Sequence, residues 1–369
     1  MSLSRRKMIA LIGGGTVLAA TAGATGFAVT RTPTTALEPW DLAGGYSDLR
    51  KQALSYALLA PNPHNLQPWQ AELVGEGRIH LSLDPNRRLP HTDPFDRQLH
   101  IGLGCFTELA RMALAEVGQG AEITYGSDGQ DGPIVEIKLT GKAQPDPLFA
   151  HILTRRSCKE AFADTPVPDD LADQLNAYAT VHREREMVQS LKELTYQAWE
   201  IEALTPRTYR ESVDLMRIGK AEINATPDGI DMGGAFFGSL HALGLLSRET
   251  LLDTNSIAYK QGFDIYRDML FATPAYVSTV SQTNTRADQL EAGAKWVRLN
   301  LACTSLGLSL HPVSQALQEY PEMAGFYAQA RELLAKPGQT VQMLGRLGYG
   351  PQTPRTPRWP LEQKLINGA

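Results

Sequence analysis

The sequence predicts an α+β protein made of two tandem copies of one helix/strand/helix plan, and three observations carry that expectation. Two long stretches space apolar residues three and four apart and close at a glycine, one from Phe95 to Val117 before Gly118 and one from 292 to Gly307. Runs of alternating apolar and polar residues, the mark of half-buried strands, flank both. Between them K-A-Q-P-D-P at 142–147 reads as a linker, after which the same order of elements starts again.

The first copy is expected over 46–142. Residues 47–59 carry a helical spacing that Pro61 ends, leaving the turn-rich P-N-P-H-N. After Gln67 and Pro68, W-Q-A-E-L-V and R-I-H-L-S-L alternate as two strands joined at G-E-G. The long apolar helix follows, its glycines letting a neighbouring backbone approach closely, and a strand comes at Ile134–Leu139. The second copy, 148–369, gives a helix, R-R-S-C-K-E-A-F, P-V-P-D-D and a helix over 149–179. It continues with a strand at 275–281, the second long helix and a strand at 340–350. Residues 204–262 exceed what this plan needs and read either as a cover over a site or as a peripheral helical layer.

Composition narrows the function. The chain has 369 residues, 43% hydrophobic and 20% charged, enough for two core-sized units. Its net charge of -5, without a basic stripe beyond the N-terminus, speaks against a nucleic-acid partner. Cys105, Cys158 and Cys303 are odd in number and far apart, so no disulfide framework is implied. H-E-x-x-H, G-x-S-x-G, a Cys/His pair at ligand spacing and a strand-anchored G-x-G-x-x-G are all missing. Zinc protease, serine hydrolase and Rossmann dehydrogenase readings therefore start weak, and no metal site is expected.

Residues 1–30 hold S-R-R-K-M-I from Ser4, then a weakly apolar Gly/Thr/Ala-rich stretch to about Val29 with small-residue sites after Ala22 and Ala24. This looks like a twin-arginine export signal, which makes the export machinery a partner and the periplasm or another exported location the expected destination. An apolar stretch of about 20 residues is also long enough for a membrane anchor. Residues 31–45 bear Pro, Thr and Gly without periodicity and read as a tether.

Two motifs carry chemistry. In A-P-N-P-H-N-L-Q-P-W, from Ala60 to Trp69, two prolines stiffen a loop that displays Asn62, His64, Asn65 and Gln67 after Pro61. Its plain alternative is a strand-entry turn whose amides cap the backbone. In T-R-R-S-C-K-E-A-F, from Thr154 to Phe162, Arg155, Arg156 and Lys159 crowd around Ser157; this suits a phosphate or is a solvated basic turn.

Together these strings resemble the nitroreductase family, with its R-R-S-x-R-x-F segment, p-V-p and helix, and A-P-S-x-x-N-x-Q-P-W loop. The tandem arrangement, L-P-H-T-D-P-F-D-R-Q-L and the twin-arginine start are most similar to the Acg-type subgroup. The resemblance covers nearly all of 46–365. It implies a nitroreductase-like fold and FMN, which family members hold at a dimer interface between the basic segment of one subunit and the loop of the other. Here the first copy keeps the loop and the second keeps the basic segment, so one FMN is implied per chain, in an intramolecular pseudo-dimer that works as a monomer.

By the same resemblance Arg155, Arg156, Ser157 and Lys159 face the phosphate and ring edge. Pro61, Asn62, His64, Asn65 and Gln67 lie against the ring, with Asn62 in place of the usual serine. Ser314 and Gln315 fall where the family offers backbone N–H near flavin N5, although its Glu-Gly is absent. Arg355 and Arg358 fall where basic C-terminal residues reach the phosphate. The activity implied is FMN-dependent hydride or electron transfer with a small-molecule or quinone-type partner. By the same resemblance the transfer passes through flavin N5 and needs no catalytic side chain. The alternative is non-catalytic flavin sequestration or storage, since an exported protein meets no pool of NAD(P)H.

Overall fold

The computed structural model describes residues 31–126 and 132–366; the export-signal reading of residues 1–30 lies outside them. Residues 31–45, expected as a tether, instead carry helix α1 (Thr34–Asp41) with Ala36, Pro39 and Trp40 buried. The spacing of these three is helical, and one buried indole is enough to dock so short a helix. Helix α2 (Leu49–Ala57) follows, its N-terminus capped by Asp48, which accepts from the Arg50 N–H.

The first half then runs β1 (Trp69–Val74), β2 (Arg78–Leu83), α3 (Arg97–Glu116), β3 (Gln119–Tyr125) and β4 (Val135–Lys142). The strands form an antiparallel sheet in the order β1-β2-β4-β3. The second half starts with α4 (Asp169–Leu175) and β5 (Thr180–His182). An insertion follows: α5 (Arg185–Leu204), α6 (Pro206–Asp214), β6 (Met216–Ile218), α7 (Gly219–Ala225), β7 (Ile230–Met232), α8 (Gly234–Ala242), α9 (Arg248–Leu252) and α10 (Ile257–Phe271). The half resumes with β8 (Ala275–Ser281), α11 (Arg286–Ser305), β9 (Ser309–Pro312), α12 (Ala324–Leu334) and β10 (Thr340–Gly348).

The second sheet is ordered β5-β8-β10-β9, again antiparallel. Counted within each half, strand order and the place of the central helix are the same. The central helices are both 20 residues long, and each is followed by a glycine in the left-handed region, Gly118 at φ 77° and Gly307 at φ 71°. One α+β unit is thus doubled in tandem. The insertion takes the place of the short turn between β1 and β2, so the extra material starts well before residue 204.

The halves share one apolar core, in which Trp69, Phe106 and Leu109 of the first meet Trp296, Val297 and Leu301 of the second. Their chain ends also cross. The Cys158 N–H bonds the Leu310 carbonyl of β9 at 3.0 Å, and the C-terminal tail returns to the first half, where Leu365 bridges Ala71 of β1 in parallel.

Candidate functional site

The loop after α2 is strained. His64, Asn65 and Gln67 have φ of 49°, 52° and 49°, a left-handed backbone that costs each non-glycine residue about 1 kcal/mol or more. The loop's own side chains hold it there. Asn62 Oδ1 accepts from the Gln67 N–H at 2.7 Å. Fully buried Gln67 donates to the Pro227 carbonyl at 2.6 Å and accepts from the Trp359 N–H at 2.9 Å. Asn65 donates to the Pro357 carbonyl at 3.1 Å and accepts from Arg358 at 2.7 Å, while its carbonyl takes the Gly229 N–H at 3.2 Å. The amides of Asn62, Asn65 and Gln67 therefore serve the loop, and the insertion turn and the tail are fastened to it.

The basic segment of the second half reaches the same place. Buried Arg155 donates to the Leu59 carbonyl at 2.9 Å, and the Asn300 amide, turned to satisfy both neighbours, accepts from it at 3.3 Å. Arg358, from the tail, caps the same exit of α2 by donating to the carbonyls of Leu58, Leu59 and Ala60 at 2.6, 3.3 and 3.2 Å. Leu59 thus joins the two motifs and the tail.

Around this point the guanidiniums of Arg156, Arg355 and Arg358 lie 4.4, 5.7 and 5.8 Å from the ring of Trp40, with Arg155 adjacent. Among the described residues, only Arg355 of these has a carboxylate partner there, Asp41 at 2.6 Å. Burial, and then the charge of neighbouring arginines, pushes Arg155 and Arg156 down to about 10 and Arg358 down to about 9. The Nε atoms of Arg155 and Arg156 are buried without a hydrogen-bond partner.

Beyond half-buried Ser157, Lys159 keeps a large accessible surface, yet burial holds its ammonium below the usual range. Three further groups feel it there. Burial, helped by Lys159, pushes His64 down to about 4. Burial, then Arg346 and Lys159, holds His311 well below the normal imidazole range, with Arg346 Nη1 3.0 Å from its Nδ1. Asp231 of β7 is raised by burial against the pull of Lys159, and it accepts from the Gly233 N–H at 2.7 Å. Among the described residues Lys159 makes no salt bridge or hydrogen bond. The Asp231 carboxyl group and the imidazoles of His64 and His311 thus lie within reach of the Lys159 charge, with Arg346 beside His311. Among the described residues no three His, Cys, Asp or Glu are placed to hold a metal.

Ser314 and Gln315 stay apart from this group. They open a turn after β9, where buried Ser314 contacts the Met343 sulfur at 3.8 Å and Gln315 faces the buried Glu202. No hydrogen bond joins either to the loop or to the basic segment among the described residues. Sequence reasoning missed Asp231, His311, Asn300 and Trp40. The double glycine after Asp231 was a usable signal, because a Cβ at Gly233 would lie 2.7 Å from the Asp231 carboxylate.

The duplication defines an equivalent place on the other side. The match that puts Gly104 on Gly293 puts Arg111 on Asn300. Arg111 bonds Glu108 at 2.7 Å, and Arg298 bonds both Glu108 at 2.9 Å and Asp146 at 2.7 Å. Arg111, Arg298 and Asp146 line an open cleft of about 440 Å3 together with Tyr178. Each arginine there has its carboxylate, unlike the cluster around Trp40.

No protein-family model matches the chain. A Mycobacterium tuberculosis protein provisionally named an NAD(P)H nitroreductase is 25% identical over 334 residues, covering 85% of this chain and 90% of that protein. The M. tuberculosis protein Acg, named in the same provisional way, is 29% identical over 140 residues, 36% of this chain and 42% of that one. Among solved structures, a provisionally named nitroreductase from Anabaena variabilis is 12% identical with a TM-score of 0.43, covering 79% of this chain and 82% of that one. The FMN-dependent nitroreductase NfnB from Mycobacterium smegmatis, in complex with NADPH, is 18% identical with a TM-score of 0.37, covering 58% and 96%. In sequence the chain is nitroreductase-like and similar to Acg.

Proposed function

We propose that the chain is a nitroreductase-like oxidoreductase that holds one FMN between its halves and works outside the cytoplasm with a small-molecule or quinone-type electron partner. The arginine cluster at Leu59 carries this reading. Four guanidiniums, three of them lowered by burial and mutual repulsion, face a single carboxylate and leave two buried Nε donors over. Burying like charges in this way is costly unless an anion joins them, and a phosphate supplies both charge and acceptor atoms. The names of the mycobacterial relatives agree with a redox role.

Arg155 and Arg156 would hold the phosphate, with Arg355 and Arg358 behind them. Ser157 and Lys159 would meet the ring edge, and His64 and the Pro61–Asn65 backbone would form its wall. Bound FMN would supply hydride or electron transfer through its ring. Asn62, Asn65 and Gln67 fix the strained loop before any ligand arrives, so little ordering remains to be done on binding. Lys159, without a counter-ion in contact, favours an electron-rich ligand beside it.

One observation favours the second reading, flavin sequestration. The insertion turn at 227–233 is hydrogen-bonded onto the loop, which limits access for a second substrate. An absorption spectrum of the purified protein, followed by anaerobic mixing with NADPH or a quinol, separates the readings. A flavin band bleached by either donor supports the oxidoreductase, a band bleached by neither supports the holder, and a colourless protein that takes up no FMN sinks both. Arg5→Lys with Arg6→Lys should strand the chain in the cytoplasm, and unchanged localisation would refute the export reading.

A further inference from the structure

His311 is held by a side chain that can only donate. It stands on β9 opposite Arg346 of β10, and Arg346 Nη1 lies 3.0 Å from its Nδ1. The guanidinium has little freedom to turn away. Its Nε donates to Thr273 Oγ1 at 2.8 Å, its Nη2 donates to the Glu160 carbonyl at 3.0 Å, and it lies 4.2 Å from the Phe162 ring. Arginine has five N–H donors and no acceptor, so His311 Nδ1 accepts, and the one proton of a neutral imidazole then sits on Nε2. A second proton, on Nδ1, would break this bond and set a new cation against Arg346. Burial, Arg346 and Lys159 together keep the ring neutral.

His311 is thereby a donor fixed both in tautomer and in place. Its Nε2 makes no hydrogen bond among the described residues, yet it is not one of the polar atoms sealed inside without a partner, so it reaches accessible space. The bond from the Cys158 N–H to the Leu310 carbonyl lays the basic segment along β9, and the charge of Lys159 reaches the His311 ring. A neutral donor and a charged one thus stand near each other, neither with an acceptor in contact among the described residues.

We infer that His311 offers its Nε2–H to an oxygen of the FMN ring and binds the reduced ring more tightly than the oxidised one; this rests on the FMN reading above. A hydrogen bond strengthens as its acceptor gains negative charge, and reduction adds electron density to the ring oxygens. The donor is neutral and already oriented, so nothing has to be reorganised when that charge arrives.

Two measurements on the full chain test this. Long-range 1H–15N correlation spectra of the histidine-labelled protein should show Nε2 protonated and Nδ1 bare, and adding FMN should move the Nε2 signal. A proton on Nδ1, an imidazolium at neutral pH, or an Nε2 signal that bound FMN leaves in place overturns the inference without need of a variant. The affinities of oxidised FMN and of FMN reduced with dithionite are then measured under argon. His311→Leu should weaken the reduced form about five-fold more than the oxidised one, the gap between a hydrogen bond to a charged and to a neutral acceptor. His311→Gln should restore most of the difference, because its amide oxygen can accept from Arg346 while its NH2 donates. Equal weakening of both forms by His311→Leu, or the same loss in both variants, marks a packing residue and overturns the inference while the FMN reading stands. A chain that takes up FMN in neither form removes that reading, and the inference with it.

Discussion

Gly104 and Gly293 stand at the same point of the two central helices, each pressed against the other helix's backbone. A Cβ at Gly104 would lie 2.0 Å from the Leu290 carbonyl oxygen, and one at Gly293 would lie 2.0 Å from that of Ile101. Each carbonyl belongs to the residue three before the partner glycine, as a two-fold axis through the crossing requires.

Gly104→Ala therefore has no room, since the obstacle is backbone on a rigid helix. Stability should fall by about 3 kcal/mol or more, the upper end of what overpacking costs. Chemical denaturation checks this; a loss below about 1 kcal/mol would show that the helices can slide apart freely.

Arg155→Ala should weaken FMN binding about ten-fold or more, the cost of losing a charged hydrogen bond to phosphate, while hardly affecting riboflavin. Asn65→Ala removes the strut to Pro357 and Arg358, so both flavins should weaken by similar, smaller factors. Titration by flavin fluorescence distinguishes them, and equal effects of Arg155→Ala on the two flavins would remove Arg155 from the phosphate site.

Released FMN should saturate near one per chain on a monomer. At the equivalent place of the other side, Arg111 and Arg298 are already neutralised by Glu108 and Asp146. Heat release with a mass measurement in solution tests this, and two flavins per chain would contradict it.

Glu202 is buried in the second half, where Gln318 donates to it at 2.9 Å, and burial pushes it up to about 7 from an ordinary 4.5. An acid raised on folding adds stability that is fully present below pH 4.5 and is lost as pH rises through about 7. Glu202→Gln should flatten that slope and stabilise the chain at pH 8 by up to about 3 kcal/mol. Denaturation at pH 5 and pH 8 measures it; an unchanged difference between the two would exclude Glu202 as its source.

The sequence displayed the central helices plainly, because twenty residues of helical spacing outweigh any local ambiguity. Strands β1, β2, β8 and β10 were legible by alternation. β3, in Q-G-A-E-I-T-Y, and the four-residue β9 were not, since edge strands this short or this polar owe their form to the neighbour they pair with. The site divided in the same way. Arg155 and the loop were legible as strings, but string spacing cannot tell an amide that faces a ligand from one that holds its own turn. Gln67 does the latter, and it was the distant Pro227 and Trp359 that decided so. Asp231 escaped notice because its importance depends on Lys159, far away along the chain.

The returning tail sets the order in which the molecule can be finished. Arg358, Trp359 and Lys364 supply the bonds that lock Leu58–Ala60, Asn65 and Gln67, residues about three hundred positions earlier. On the ribosome the loop emerges long before its fastenings, and it must wait in an unlatched form while the rest of the chain is translated. A chain cut short before residue 358 would leave α2 uncapped and the strained loop unsupported, however well its two sheets had paired. Residues 358–364 thus act as a late check on the loop that they fasten.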